Sequence, residues 1–185
     1  METVAARRSV RDFAADSLQL FQLSQILWAA QGITSLESEA RAVPSAGATY
    51  PLEIYTLTGE NGVEKIESGI YRYDTPNHSL SLHRQGDWRA DLANAAINQD
   101  FIAVAPVTLV ICADYSRTMA RYNIRGERYV FMEVGHAGQN IYLQATALNL
   151  GTVAVGAFQD EEVRRILQLE AKIRPLYIMP VGKSI

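Results

Sequence analysis

The sequence predicts an α+β fold, and three observations carry that prediction. Gly69–Tyr73 and Ser79–His83 alternate around Asp74-Thr75-Pro76-Asn77, a turn signature that joins two strands into a hairpin. Val107–Ala113 is a short, nearly continuous apolar run, which suits a strand buried on both faces. Gly126–Leu150 keeps helical spacing over a length no ordinary strand reaches. A hairpin combined with long helices favours α+β over a doubly wound sheet.

Taken in order, Ser17 reads as the N-cap of a helix over Leu18–Gln31. Leu20, Leu23, Ile26 and Leu27 share one face of it, and Gly32 follows its end. Residues Thr34–Ala42 are small and polar, a loop leading to Pro44, and Leu52–Thr58 alternates as a strand. Asp87–Ile97 suggests a helix. In the long helix Val130, Val134, Ala137, Ile141, Ala145 and Leu148 keep the period, and Gly151 supplies the stop. Its other faces carry Gly135, Gly138, Leu143 and Ala147, so it belongs in the middle of a fold or at a large interface. Thr152–Val155 reads as a strand, Asp160–Leu167 as a short helix and Pro175–Val181 as the last strand.

The length of 185 residues suits one domain over 1–185, and 48% hydrophobic content argues against disorder. The single cysteine, Cys112, forms no internal disulfide and reads as buried and inert. The longest apolar run, Ile102–Ala113, is too short to span a bilayer, and no signal-peptide pattern opens the chain. The expectation is a soluble, cytoplasmic protein with no membrane partner.

The net charge is −3, yet the chain opens on Arg7-Arg8-Ser9-Val10-Arg11, with Lys183 third from the end. Three guanidinium forks and a hydroxyl within about five residues are the donor inventory a phosphate group needs. A basic cluster on an acidic chain points to a small anion rather than to nucleic acid.

Three further segments join this run: Pro44-Ser45-Ala46-Gly47-Ala48-Thr49-Tyr50-Pro51, the stretch Arg121–Asn140, and Met179-Pro180-Val181-Gly182-Lys183. In their order and spacing they resemble the flavin-dependent nitroreductase family, and within it the SagB-type, azoline-oxidase-like dehydrogenases. The resemblance implies a central mixed or antiparallel sheet flanked by helices, a long buried central helix, and an entwined homodimer with FMN at its interface. It implies that Arg7, Arg8, Ser9, Arg11 and Lys183 hold the cofactor. It also implies that Pro44, Ser45, Ala46 and Gly47 line the flavin from the second subunit. Val155, Gly156 and Ala157 would offer backbone N–H groups to the redox edge of the ring, with Gln99 nearby. NADH or NADPH and a small electron-poor acceptor would be the partners.

In azoline oxidases of this branch a Lys-Tyr pair supports substrate deprotonation. Here Tyr122 is kept as the candidate catalytic residue, but Arg121 stands in the lysine's place. An arginine stays protonated and does not serve as a base, which counts against azoline oxidation. Glu133 and His136 stand at i and i+3, but one such pair does not make a di-iron motif; it reads as a buried, satisfied pair, with no metal. Gln139 and Asn140 read as structural or flavin-adjacent, and His78 and His83 as surface residues. No G-x-G-x-x-G, Walker or Ser-His-Asp pattern is present. The sequence reading is an FMN-dependent oxidoreductase. Its alternatives are a substrate-specific dehydrogenase acting on an amino-acid-derived or heterocyclic compound, and a non-catalytic flavin-storing protein.

Overall fold

The computed structural model describes residues 2–35 and 37–185; Met1 and Leu36, the latter in the segment read as a loop, lie outside them. The strands are β1 (Leu52–Thr58), β2 (Gly69–Asp74), β3 (Ser79–Gln85), β4 (Val107–Asp114), β5 (Gly151–Thr152) and β6 (Ile173–Gly182). They form one sheet in the order β3-β2-β1-β4-β6-β5, each neighbouring pair antiparallel. The helices are α1 (Glu2–Ala6), α2 (Leu20–Gln31), α3 (Arg89–Ala95), α4 (Phe101–Val104), α5 (Tyr115–Tyr122), α6 (Arg125–Ala147) and α7 (Asp160–Leu167).

β4 is buried along its whole length because both faces of the sheet are covered. Leu109, Ile111 and Ala113 enter one core with Leu23, Ile26 and Leu27 of α2 and Val130, Val134 and Ile141 of α6. Val110 and Cys112 face the other way, into a core with Leu92 of α3, Ile102 of α4 and Val163 and Ile166 of α7. Each fully buried aliphatic side chain contributes about 1.5–3 kcal/mol, so the two cores fix the sheet between its helical layers. Burial holds the Cys112 thiol well above its ordinary pKa, which leaves it inert.

The hairpin, β1 and α7 fall where the sequence puts them, and β4 extends the expected run by one residue. α2 begins later than expected. Gln19, not Ser17, stands at its N-cap, and its N–H donates to Gln22 Oε1 at 2.9 Å. Ser17 instead donates to the Asn61 carbonyl, and Leu18 pairs with Val63, so both leave the helix. Leu20 is 43% exposed and takes no part in the buried face. The strand expected over Thr152–Val155 shrinks to Gly151–Thr152, with Val155 keeping a separate bridge to Ile178.

α6 buries one stripe, Val130, Glu133, Val134, Ala137, Gly138, Ile141 and Ala145, against the sheet. Its outer face leaves Phe131, Met132, Gly135, His136 and Gln139 exposed. Phe131 and Met132 make an exposed apolar patch on that otherwise mixed face.

Candidate functional site

The two ends of the chain meet at the β5–β6 edge. Ser9 pairs with Thr152 and Phe13 with Ser184, while Ala14 N–H donates to the Lys183 carbonyl at 2.9 Å. This extended pairing runs the Ser9–Ala14 segment along the edge from Thr152 to Lys183 and Ser184. Among the described residues the Lys183 ammonium forms an ion pair with Asp16, at 3.4 Å, an exposed pair of little strength. Arg8 bonds its own neighbours, the Ala5 and Arg7 carbonyls, so its fork is held at the surface rather than in a carboxylate pair.

Tyr142 of α6 joins this edge to the next loop. Its hydroxyl shares a hydrogen bond with Ser9 Oγ at 3.0 Å and accepts from Ala154 N–H at 2.8 Å. The Arg7 guanidinium lies over its ring at 5.1 Å. Val155, Gly156 and Ala157 continue from there, and Gln99 Nε2 donates to the Ala157 carbonyl at 3.0 Å. Arg11 stands 5.8 Å over the ring of Phe101, close after Gln99 in the chain. Arg7, Ser9, Arg11, Gln99, Val155–Ala157 and Lys183 therefore occupy one connected edge.

The second cluster forms around Ser45. Its hydroxyl donates to Glu133 Oε2 at 2.6 Å and accepts from Tyr50 N–H at 2.9 Å. Ala46–Ala48 makes a 3-10 turn in which Gly47 has φ 61°, a conformation that glycine holds without strain. Space also demands glycine: a Cβ there would stand 2.6 Å from the Tyr122 hydroxyl. Arg121 donates to the Gly47 carbonyl at 3.0 Å, and Thr49 bonds Thr118 at 2.8 Å. Tyr122 and the Pro44–Gly47 segment, read separately in the sequence, are thus neighbours.

The two clusters sit on α6 at Glu133 and Tyr142, nine residues or about 13 Å apart along the axis. The expected Glu133–His136 pair does not form. Glu133 turns inward to Ser45, while His136 falls between the buried pairs Glu133–Val134 and Ala137–Gly138 and is exposed. Asn140 is structural, donating to the Ala29 and Ala42 carbonyls, and Gln139 is exposed. His78 is more than a solvated surface residue: it bonds Ser24 and Tyr73 and ties the hairpin to α2. Among the described residues no group of His, Cys, Asp or Glu could hold a metal ion. Nor is any described helix long and apolar enough to cross a membrane.

Sequence reasoning missed Tyr142 and Thr152, which both meet Ser9 only because the pairing of distant segments brings it to them. It missed α5 altogether. Asp114, just past a buried strand and accepting from Ser116 N–H, was the available cap signal.

An antiparallel sheet between two helical layers, with both chain ends joined at one edge, is the architecture of the nitroreductase-like fold. The Nitroreductase family matches residues 4–183, and the chain belongs to that family. It is 50% identical over 184 residues to a protein of Methanocaldococcus jannaschii provisionally named a nitroreductase, covering 100% of this chain and 90% of that protein. It is 25% identical over 152 residues to the microcin B17-processing protein McbC of Escherichia coli, covering 78% of this chain and 55% of McbC. Among solved structures, a provisionally named nitroreductase of Ralstonia eutropha superposes with a TM-score of 0.86 at 28% identity, over 99% of this chain and 81% of that one. The NADPH:FMN oxidoreductase of Vibrio harveyi, solved with NAD+, shares the fold at a TM-score of 0.70 and 24% identity, over 99% of this chain and 67% of that one.

Proposed function

We propose that the protein is an FMN-dependent oxidoreductase, working as a homodimer, that takes hydride from NADH or NADPH and reduces an electron-poor acceptor. In this reading residues 1–185 act as one FMN-binding domain. The observation that supports it is the junction of the two chain ends, where Ser9 pairs with Thr152 and Ala14 N–H donates to the Lys183 carbonyl, on the same strand β6 that Val155 bridges at Ile178. FMN, when bound, supplies the hydride-accepting chemistry.

The donor set fits a phosphate ester. Arg7, Arg8, Ser9, Arg11 and Lys183 would hold it, and Thr152 Oγ1, buried beside Ser9 with no partner among the described residues, offers one more hydroxyl. Gly156 fits the close approach of a flat ring: an added Cβ would meet nothing nearer than the Tyr177 ring at 3.8 Å. Gln99 and Tyr142 hold that loop in place through Ala157 and Ala154. Pro44, Ser45, Ala46 and Gly47, about 13 Å away along α6 from this edge, would cover the ring from the second copy. Exposed Phe131 and Met132 on α6, with Phe21 and Trp28 on α2, supply the apolar surface such a dimer buries. Mixing apo-protein with FMN and desalting it should leave one flavin per chain on a dimer, read by absorbance and light scattering. A colourless monomer would overturn the proposal.

The likeness to McbC, with Tyr122 beside Gly47, favours a second reading: a dehydrogenase specific for an amino-acid-derived or heterocyclic compound. Tyr122→Phe separates the two. Under the first reading NAD(P)H-driven turnover stays within a few-fold. Under the second, loss of a general acid–base hydroxyl costs about 10²–10⁴-fold in substrate oxidation.

A further inference from the structure

A cavity of about 430 Å³ opens where the start of β1 meets the end of β2, a size that suits a small molecule. Three guanidinium groups line it, from Arg41, Arg72 and Arg117, with the carboxylates of Glu53 and Asp74. Glu53 is 7% exposed and both its oxygens are taken. Arg72 Nε and Nη2 donate to Oε2 at 3.0 and 2.8 Å, and Arg117 Nη2 pairs with Oε1. Arg117 also donates to the Tyr50 carbonyl at 3.0 Å and stands 3.7 Å from Asp114. Asp74 accepts from Asn77 Nδ2 at 2.7 Å and has no ion pair among the described residues.

Arg41 is the uncompensated member. It is half-buried and has no carboxylate within ion-pair distance among the described residues. Its Nη1 donates to Gln31 Oε1 at 2.9 Å, and its guanidinium lies 4.2 Å over the Tyr50 ring. Stacking of this kind fixes the guanidinium plane while its remaining N–H donors stay available. Gln31 itself is fully buried, and its amide nitrogen has no partner among the described residues. Charge withdrawn from water is ordinarily paired, yet this corner holds a cation and N–H donors without a matching acceptor. Burial lowers the Arg41 pKa, opposed by Tyr50 and then by Glu133.

We propose that this cavity binds a small organic molecule through its carboxylate, with Arg41 as the counter-ion. A carboxylate matches the fork of a guanidinium and brings the acceptor oxygens that this corner lacks. Glu53 shows on the adjoining wall that the guanidinium groups here take a carboxylate. The site uses none of the residues assigned to FMN, so it stands independently of the flavin reading.

Calorimetric titration of the purified protein with succinate, and with its neutral diamide succinamide, tests the site. Succinate should bind saturably and succinamide should not. Arg41→Gln, which stays polar but loses the charge and the fork, should weaken succinate binding on the order of 10-fold or more. Ser81→Asp adds a carboxylate to the cavity wall from an exposed position on the edge strand β3, where the fold is not at stake. It should weaken succinate binding as well, by like-charge repulsion. No saturable binding of succinate, equal binding of succinamide, or unchanged affinity in both variants overturns the site. Arg41-dependent succinate binding in a protein that fails to retain FMN upholds the site and overturns the flavin reading instead.

Discussion

Arg8→Ala combined with Arg11→Ala should yield a chain that folds but no longer retains FMN. Each arginine would lose charge-assisted hydrogen bonds of about 1.5–3 kcal/mol, or on the order of 10- to 150-fold in Kd per residue. Among the described residues neither guanidinium is engaged with a carboxylate: Arg8 bonds local carbonyls and Arg11 lies over Phe101. Their removal therefore leaves no buried charge behind, and the apo fold should persist. The control is Arg165→Ala, which removes an exposed pair with Glu162 on α7 and should leave FMN retention untouched. Full flavin in the double variant would sink the phosphate-site assignment. Because bound FMN stabilises the native state by mass action, the wild type alone should melt at a higher temperature when FMN is added.

The largest stability loss expected from a single small substitution is at Gly62. An added Cβ would stand 2.2 Å from the Pro106 carbonyl oxygen, which already accepts Gly59 N–H at 3.1 Å. Both sides of that contact are backbone, so no rotamer change relieves it. Gly62→Ala must displace the β1–β2 connection from the start of β4, at about 3 kcal/mol or more. For a chain of this size that lowers Tm by roughly 6–12 °C in a thermal melt. A melt within a degree of wild type would show that the connection yields more easily than this packing implies. Gly135→Ala is the contrast, since its Cβ would meet nothing within 4 Å.

Elements whose signals are local were legible. Leu52–Thr58 and Asp160–Leu167 appear at the residues the pattern predicts, because alternation and helical spacing are written in consecutive side chains. Elements set by distant partners were not. Ser17 has the chemistry of an N-cap, but Asn61 competes for its hydroxyl and Val63 for Leu18, so the helix starts at Leu20. β5 is two residues long because its pairing with β6 breaks after Thr152 and resumes only as the single bridge of Val155 to Ile178. The site divides in the same way. Arg7–Arg11 and Lys183 carry their chemistry in the sequence, and the resemblance joined them; the pairing of Phe13 with Ser184 supplies the physical reason. The partner of Glu133 was hidden because Ser45 lies far off in sequence, while the tempting neighbour, His136, points to solvent.

Flavin-borne hydride transfer is read from the visible spectrum of the FMN-loaded protein titrated anaerobically with NADH and then NADPH. The yellow protein should bleach with at least one donor and regain its colour when an electron-poor acceptor is added. A yellow protein that stays oxidised with both donors would contradict it, leaving the substrate-specific dehydrogenase or a flavin store.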